Sequence, residues 1–383
     1  MTTSWPRIAL LYAIGVLAAG QLGIVPPLVP DLQRDLGLSL AGAGAAVSVI
    51  TLVGAVLGLP AGGWSQHIGH VRALAIGLAI MAAAAALCAA ATDATTLLVG
   101  RTLAGIGYLL VVVAAPSLLA MTAEPRHLPI TLSLWGTFVP TGIALGGLVT
   151  AGFAGASWRT IFAVDLVLLA AAVIVTIVAV PRDVSATQDK EKLPTGALTS
   201  SLPLATGFFC FALLFLALAG LLPTWLVERR GLASDDAGRI AAIATAFGIP
   251  GSLLAGSLMR AGVAPGRLAA IGLLGSMALA AICFATLPLP LAVAGFALSF
   301  AVGGLVPAAT FSSVPLVAAS PRAIGPINGL VAQAGSLGSL AGPPLLALWV
   351  GWTDWPFAPL LLLAIAVLGA AAALAVRRAS PPP

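Results

Sequence analysis

Twelve apolar runs, each close to the roughly 20 residues a helix needs to cross a bilayer, follow one another along this chain with little between them. They lie near residues 8–30, 41–64, 73–92, 95–121, 128–155, 160–180, 203–227, 236–259, 266–287, 289–318, 323–350 and 355–376. No water-soluble fold can hide so much apolar surface. Of 383 residues, 60% are hydrophobic and 8% charged, against about 45–50% and 25% in soluble domains. The runs are rich in Ala, Leu and Gly and show no two-residue alternation, which predicts helices rather than barrel strands. The expected fold class is an all-α integral membrane protein of twelve transmembrane helices. The run that begins at Ile8 reaches Pro30 without an A-x-A-like cleavage pattern, so it reads as the first span and not as a leader.

The net charge of +5 and the isoelectric point near 9.7 would suggest nucleic acid in a soluble protein. Here the basic residues are spread over short loops, so they report topology and no nucleic-acid partner is expected. The N-terminus, the even-numbered loops and the C-terminus hold Arg7, Arg72, Arg126, Arg182, Lys190, Lys192, Arg260, Arg267, Arg322, Arg377 and Arg378. The opposite side holds Arg34, Arg159, Arg229, Arg230 and Arg239. This bias places both termini in the cytoplasm of a bacterial-type inner membrane. Trp158, Trp225, Trp349, Trp352 and Trp355 then fall at outer span ends, where an interfacial aromatic belt is expected. Cys88, Cys210 and Cys283 lie inside spans without paired or metal-ligand spacing and read as small buried hydrophobes.

The one long polar segment, Pro181 to Ser201, divides the spans into two sets of six. A shift of about 195 residues lays LGLS at 36–39 on GLAS at 231–234, Gly62 on Gly256, Arg72 near Arg267, and EPR at 124–126 on SPR at 320–322. The expected organisation is an N-terminal bundle at 1–180, a cytoplasmic linker at 181–201 and a C-terminal bundle at 202–383. Parallel repeats of this kind place a solute site between the halves, near the bilayer midplane.

Several motifs resemble those of the major facilitator superfamily, over essentially the whole chain. The stretch VPPLVPDLQRDLGLSLAGAG at 25–44 is similar to the first loop of bacterial drug:proton antiporters and sugar-efflux relatives. The loop GGWSQHIGHVR at 62–72 resembles the signature G-x-x-x-D-R-x-G-R-R: Gly62 and Gly69 match, Gln66 stands in the acid's position, and Arg72 follows. The resemblance makes this loop a cytoplasmic gate latch, which here lacks its charge; the alternative is that Gly62 only permits close helix packing. GRTLAGIGYLLVVVAAP at 100–116 is similar to the family's R-x-x-x-G-x-G pattern. LWGTFVPTGIALGGL at 134–148 overlaps the antiporter signature through Gly142, Gly146 and Gly147, with Pro140 three residues before the expected proline position. The repeat-related GSLGSLAGPPL at 335–345 supplies Gly338, Gly342 and Pro343. The family fold this implies is two pseudo-symmetric six-helix bundles.

Arg101, Gly105 and Tyr108 share one helix face, with Arg101 about 9 Å inside the fourth span at ~1.5 Å per residue. Asp165 is the one acid well inside a span. A charge at that depth needs water or a partner, so Arg101 and Asp165 are expected to pair, either as a hydrated proton-coupling site or as a static strut. Gln21, Thr141 and Gln333 head the remaining polar residues at membrane depth as contacts for solute, with interhelical hydrogen bonding as the competing reading; Thr137, Thr245, Thr310 and Asn328 accompany them, and Phe211 and Phe215 are a candidate apolar wall.

These residues imply a secondary transporter of a small, weakly polar or monovalent organic solute working by alternating access, with proton-coupled efflux favoured by the resemblance of the first and fifth spans to exporters. An importer or facilitator of a small organic anion, with Arg101 as its partner, is the alternative. A non-transporting membrane sensor is the reading from a different class. Enzyme chemistry is not expected, because His67, His70 and His127 map to loops and no catalytic constellation falls in a span. No phosphate-binding GxxxxGK[ST] loop is present. The expected partners are a small solute, protons as the coupling ion and the lipid bilayer, with no cofactor and a monomeric chain.

Overall fold

The computed structural model describes residues 3–38, 40–153, 156–180, 196–284, 287–318 and 323–376. Most of the expected linker, 181–195, therefore lies outside the described residues, as do the surroundings of Gly62 and the side chain of Gln66. Every regular element among the described residues is helical. In order they are α1 (Trp5–Ile24), α2 (Val29–Leu36), α3 (Leu40–Ile68), α4 (His70–Ala89), α5 (Ala94–Thr122), α6 (Leu128–Trp135), α7 (Phe138–Gly152) and α8 (Trp158–Ala179). The second half follows with α9 (Ala197–Ser200), α10 (Leu202–Arg230), α11 (Ser234–Ala246), α12 (Gly248–Arg260), α13 (Pro265–Phe284), α14 (Leu289–Gly303), α15 (Leu305–Val317), α16 (Ile324–Thr353) and α17 (Ala358–Leu374).

The twelve expected spans are recovered, but three are broken into two helices: α6–α7, α11–α12 and α14–α15. In each, a proline occupies the third position of the second piece: Pro140, Pro250 and Pro307. Proline removes an N–H and presses on the carbonyl four residues earlier, and Gly136, Gly248 and Gly303–Gly304 beside these breaks resist bending least. Pro60, Pro116, Pro223 and Pro343–Pro344, by contrast, sit inside continuous helices. Among the described residues, nine helical stretches are individually long and apolar enough to cross a membrane.

The internal repeat appears in the backbone. Gly37 and Gly231 close α2 and α10 at φ 63° and 66°, and Gly69 and Gly262 turn the loops before α4 and α13 at φ 90° and 93°. Side chains rarely adopt such angles, so glycine is required at these turns. The glycine motifs repeat as well. A Cβ on Gly142 would lie 2.6 Å from Val16 O and one on Gly146 2.5 Å from Gly20 O, so both press α7 onto α1. Gly338 and Gly342 press α16 onto α10 in the same way, 2.3 Å from Phe209 O and from Leu213 O. These four glycines thus set helix contacts within each half.

A third pair of equivalents corrects the aromatic belt. Trp158 and Trp355, at the starts of α8 and of the last span, are 1% and 4% exposed. The Trp158 indole N–H donates to Asp35 Oδ2 at 3.0 Å, and that of Trp355 to Glu228 Oε2 at 2.8 Å. Trp225 is also buried, edge-on to Phe284 and Phe296. Each buried indole thus spends its N–H on a carboxylate at the helix end, Asp35 and Glu228 being themselves exposed, and Trp352 keeps the exposed position expected of the belt.

The halves meet along α3 and α16, with further contact of α6 against α12 and α15, and of α7 against α11. The core is asymmetric along the membrane normal. On the face carrying Thr3 and Val376, one buried cluster mixes both halves: Ile8, Leu11, Leu118 and Trp135 with Leu204, Phe311, Val314 and Ile327. On the opposite face the clusters are separate. Ile24, Leu32, Leu97 and Phe162 belong to one half alone, and Trp225, Phe284, Phe296 and Trp355 to the other.

Candidate functional site

The two charges expected to pair are brought together, but through a third residue. Arg101 on α5 is fully buried, and all three of its nitrogens are engaged. Nε donates to Ala46 O at 3.0 Å, Nη1 to Gln21 Oε1 at 3.0 Å and Nη2 to Gln21 O at 2.9 Å. The Gln21 amide turns its other end to Asp165, donating Nε2 to Oδ2. Arg101 and Asp165 make no direct ion pair; Gln21 bridges them. An amide suits this place because its oxygen faces the cation and its N–H₂ the anion. Gln21 and Asp165 are 2% and 3% exposed, so the array is sealed within the first half, joining α1, α3, α5 and α8. Gly105, one turn along from Arg101, lets α3 close on α5: a Cβ there would lie 2.5 Å from Ile50 O.

A second polar group lies between α1 and the fifth span. The Tyr12 hydroxyl is 2.7 Å from Thr137 Oγ1 and 3.1 Å from Thr141 Oγ1. Sequence reasoning named both threonines but missed Tyr12, whose ring was counted among the hydrophobic residues. The available signal was its rarity, since the chain has two tyrosines. The other, Tyr108, is half-buried on α5, and its hydroxyl has no partner among the described residues. Tyr12, Tyr108 and Phe208 all pack against the buried cluster that both halves share. Phe208, Phe211 and Phe215 form a ladder along α10, with ring centroids 5.8 and 5.6 Å apart, and Phe311 meets Phe208 at 5.6 Å.

Gln333 lies on the seam itself. Its Nε2 donates to Ala55 O at 2.9 Å, across the junction of the halves. Gly54 and Gly58 make that approach possible: a Cβ on Gly58 would lie 2.5 Å from Gln333 Cβ, and one on Gly54 2.3 Å from Ser336 Oγ. Pro140 also touches the other half, 3.8 Å from where a Gly248 Cβ would lie, and Pro343 packs beside Gly220 on α10. Arg72 is exposed on the first turn of α4, after the Gly69 turn that Ser65 Oγ and His70 Nδ1 bridge at 2.9 Å. The proposed gate loop and the Arg101 array therefore lie at opposite ends of the first half. Among the described residues, no cluster of three His, Cys, Asp or Glu side chains could hold a metal.

Two helical halves in parallel repeat, an interface of glycines and one cross-half amide, and a buried charge array in one half form a pattern that the family comparison resolves. The model of the Major Facilitator Superfamily matches residues 11–325. The chain belongs to the major facilitator superfamily. Its relatives in that superfamily include the methylenomycin A resistance protein of Bacillus subtilis, 31% identical over 172 residues, covering 44% of this chain and 36% of that protein. The cyanate transport protein of Escherichia coli is 30% identical over 146 residues, covering 37% of each chain. The matched stretches thus span well under half of these relatives' own lengths. Among solved structures, the human organic anion transporter MFSD10 superposes with a TM-score of 0.79 over 96% of this chain and 98% of that one, at 16% identity. The Escherichia coli fucose:proton symporter gives 0.77 over 98% and 99%, also at 16%. At such identity the likeness shows the fold, the twelve-helix arrangement of a multi-pass membrane protein. This superfamily consists of transporters and not of enzymes.

Proposed function

We propose that this facilitator-fold protein is a secondary transporter that moves a small, weakly polar or monovalent organic solute by alternating access, and that it works as a proton-coupled exporter. The observation that carries the reading is the asymmetry of the core. One face is closed by a cluster built from both halves, and the other holds two clusters that do not mix. Rocking about the α3–α16 seam exchanges which face is closed, and the seam's small residues allow the helices to roll on one another. The halves are residues 1–180 and 202–383, tethered by 181–201. The excess of basic residues on the closed face makes that face cytoplasmic, with both termini there. The state described then opens to the outside of a bacterial-type inner membrane.

Asp165 is the proposed proton carrier. It is the acid within the helical interior of the first half, and its Gln21 contact ties its charge state to α1. Neutralising it would leave the Arg101 charge without its counterpart across the Gln21 bridge, a change that α1 and α5 feel together. The test is purified protein in proteoliposomes, screened against a solute library with and without an imposed proton gradient. Gradient-driven flux lost in Asp165→Asn, with insertion intact, supports the reading. Gradient-insensitive flux would replace antiport by facilitated diffusion, and absence of flux for every solute with a folded protein would overturn transport itself.

A further inference from the structure

The hydrogen-bonding polarity of the interior bears on which solutes it accepts, and the argument rests on the transporter reading above. Arg101, the natural partner for an anion, is spent: it is fully buried and its Nε, Nη1 and Nη2 all donate to Gln21 and to Ala46 O. Its charge is balanced through Gln21 by Asp165. With the Gln333 amide donating to Ala55 O across the seam, the polar side chains between α1 and the fifth span are hydroxyls. Thr137 donates its proton to Leu134 O at 2.7 Å. The Tyr12 hydroxyl, 2.7 Å from Thr137 Oγ1, must then donate to that oxygen, because Thr137 has no second proton to give. Thr141, 3.1 Å from Tyr12, donates in turn to the Tyr12 oxygen. The chain of donation runs Thr141 to Tyr12 to Thr137 to Leu134 O. Every proton in it points inward along the chain, so what it offers a newcomer is acceptor lone pairs, on Thr141 Oγ1 and on the Tyr12 oxygen.

We infer that the solute is recognised as an uncharged molecule bearing a hydrogen-bond donor on an apolar or aromatic body. Its donor binds the Tyr12–Thr141 oxygens, Tyr108 supplies one adaptable hydroxyl, and the Phe208 ring covers its apolar part. Tyr108 suits that place because its hydroxyl has no partner among the described residues. Phe208 presents an apolar ring from the other half, packed against the same shared cluster as Tyr12 and Tyr108. An anion brings only acceptors. At the Tyr12–Thr141 pair it would meet acceptor oxygens, with no free cation beside them among the described residues, a repulsive arrangement in a medium that strengthens charge effects. An amide, an amine in its neutral form or an alcohol brings the donor that the array lacks.

The test uses paired probes that share a ring system: aryl amides and the corresponding aryl carboxylates, offered to the full-length protein in proteoliposomes and, in parallel, to detergent-purified protein for thermal stabilisation. The expected result is flux and stabilisation by amides over carboxylates. Tyr12→Phe and Thr141→Val each raise KM for the amide about tenfold with kcat little changed, as loss of one hydrogen bond implies. Tyr108→Phe removes a hydroxyl with no partner among the described residues, so it folds as the parent does and still raises KM. Carboxylates moved in preference to amides would overturn this inference and leave the transporter reading standing. Amide flux with KM unchanged in all three variants would overturn it too. Failure of both probe classes, where the wider solute library gives flux, would refute the class assignment alone.

Discussion

Replacing Gln21 by Met keeps the length and volume of the side chain and deletes its amide. Two hydrogen bonds to charged groups are lost, from Arg101 Nη1 to Oε1 and from Nε2 to Asp165 Oδ2, while the Arg101 bonds to Gln21 O and Ala46 O survive. Neutral interhelical hydrogen bonds inside membranes average about 0.6 kcal/mol. Bonds to charged groups are worth ~1.5–3 kcal/mol each, and here both charges are sealed from water, so the sum is about 3–6 kcal/mol. That loss is large beside the stability of an ordinary domain, and a fall in unfolding midpoint on the order of 10 °C follows. The assay is built into the chain. Cys88, Cys210 and Cys283 are free and buried, so a thiol-reactive fluorogenic dye reports unfolding. Gln333→Met is the control: its amide donates to Ala55 O, a neutral carbonyl, and its loss is expected to shift the midpoint much less. Equal midpoints for the parent and Gln21→Met would refute the bridging role and with it the coupling of Asp165 to α1.

Three further outcomes follow from the geometry. Gly58→Val places atoms where Gln333 Cβ and Cα already lie, 2.5 and 2.6 Å from the position of a Cβ, and is expected to stop solute flux while membrane insertion persists; undiminished flux would show that the seam does not need to close so tightly. Trp158→Phe and Trp355→Phe delete equivalent indole bonds to Asp35 and Glu228, and each is expected to cost about 1 kcal/mol in chemical unfolding, additively because they lie in different halves. Asp354, outside the helices, is held below its ordinary value near 3.8 by the Arg229 guanidinium and by the Trp355 N–H. Its folded value is the lower one, so its contribution to stability is complete above the unfolded value and disappears as pH falls through the folded one. The gap in midpoint between parent and Asp354→Asn is therefore expected at neutral pH and should close under strong acid; a gap independent of pH would remove the ionic explanation.

The spans were legible because lipid demands long apolar helices, and length and hydropathy express that demand residue by residue. The breaks at Gly136, Phe247 and Gly304 were less so. Proline occurs in bent and continuous helices alike, and glycine stands near both kinds, Gly58 before Pro60 and Gly342 before Pro343 included, so the local sequence does not separate the two. The Gln21 bridge was half visible: Arg101, Asp165 and Gln21 each stood out as polar residues at depth, but which helices adjoin is a tertiary matter that no single span declares. The tryptophans misled because an indole N–H can be met at the lipid interface or by a carboxylate of the same half, and only the position of Asp35 and Glu228 in space decides. Tyr12 was hidden for a related reason: its ring is apolar and its hydroxyl acts only where Thr137 and Thr141 reach it.

The central claim is that the halves rock about the α3–α16 seam and expose their interface to one face at a time. Spin labels on exposed residues of opposite halves report this directly: His67 with Ala261 on the closed face, and Thr92 with Asp236 on the other. Pulsed dipolar distances in lipid nanodiscs would be recorded across pH and with transported solute. The account predicts two populations in which the pairs change in opposite senses, the closed face widening as the other narrows. A single population under every condition, or both distances moving in the same sense, would contradict it.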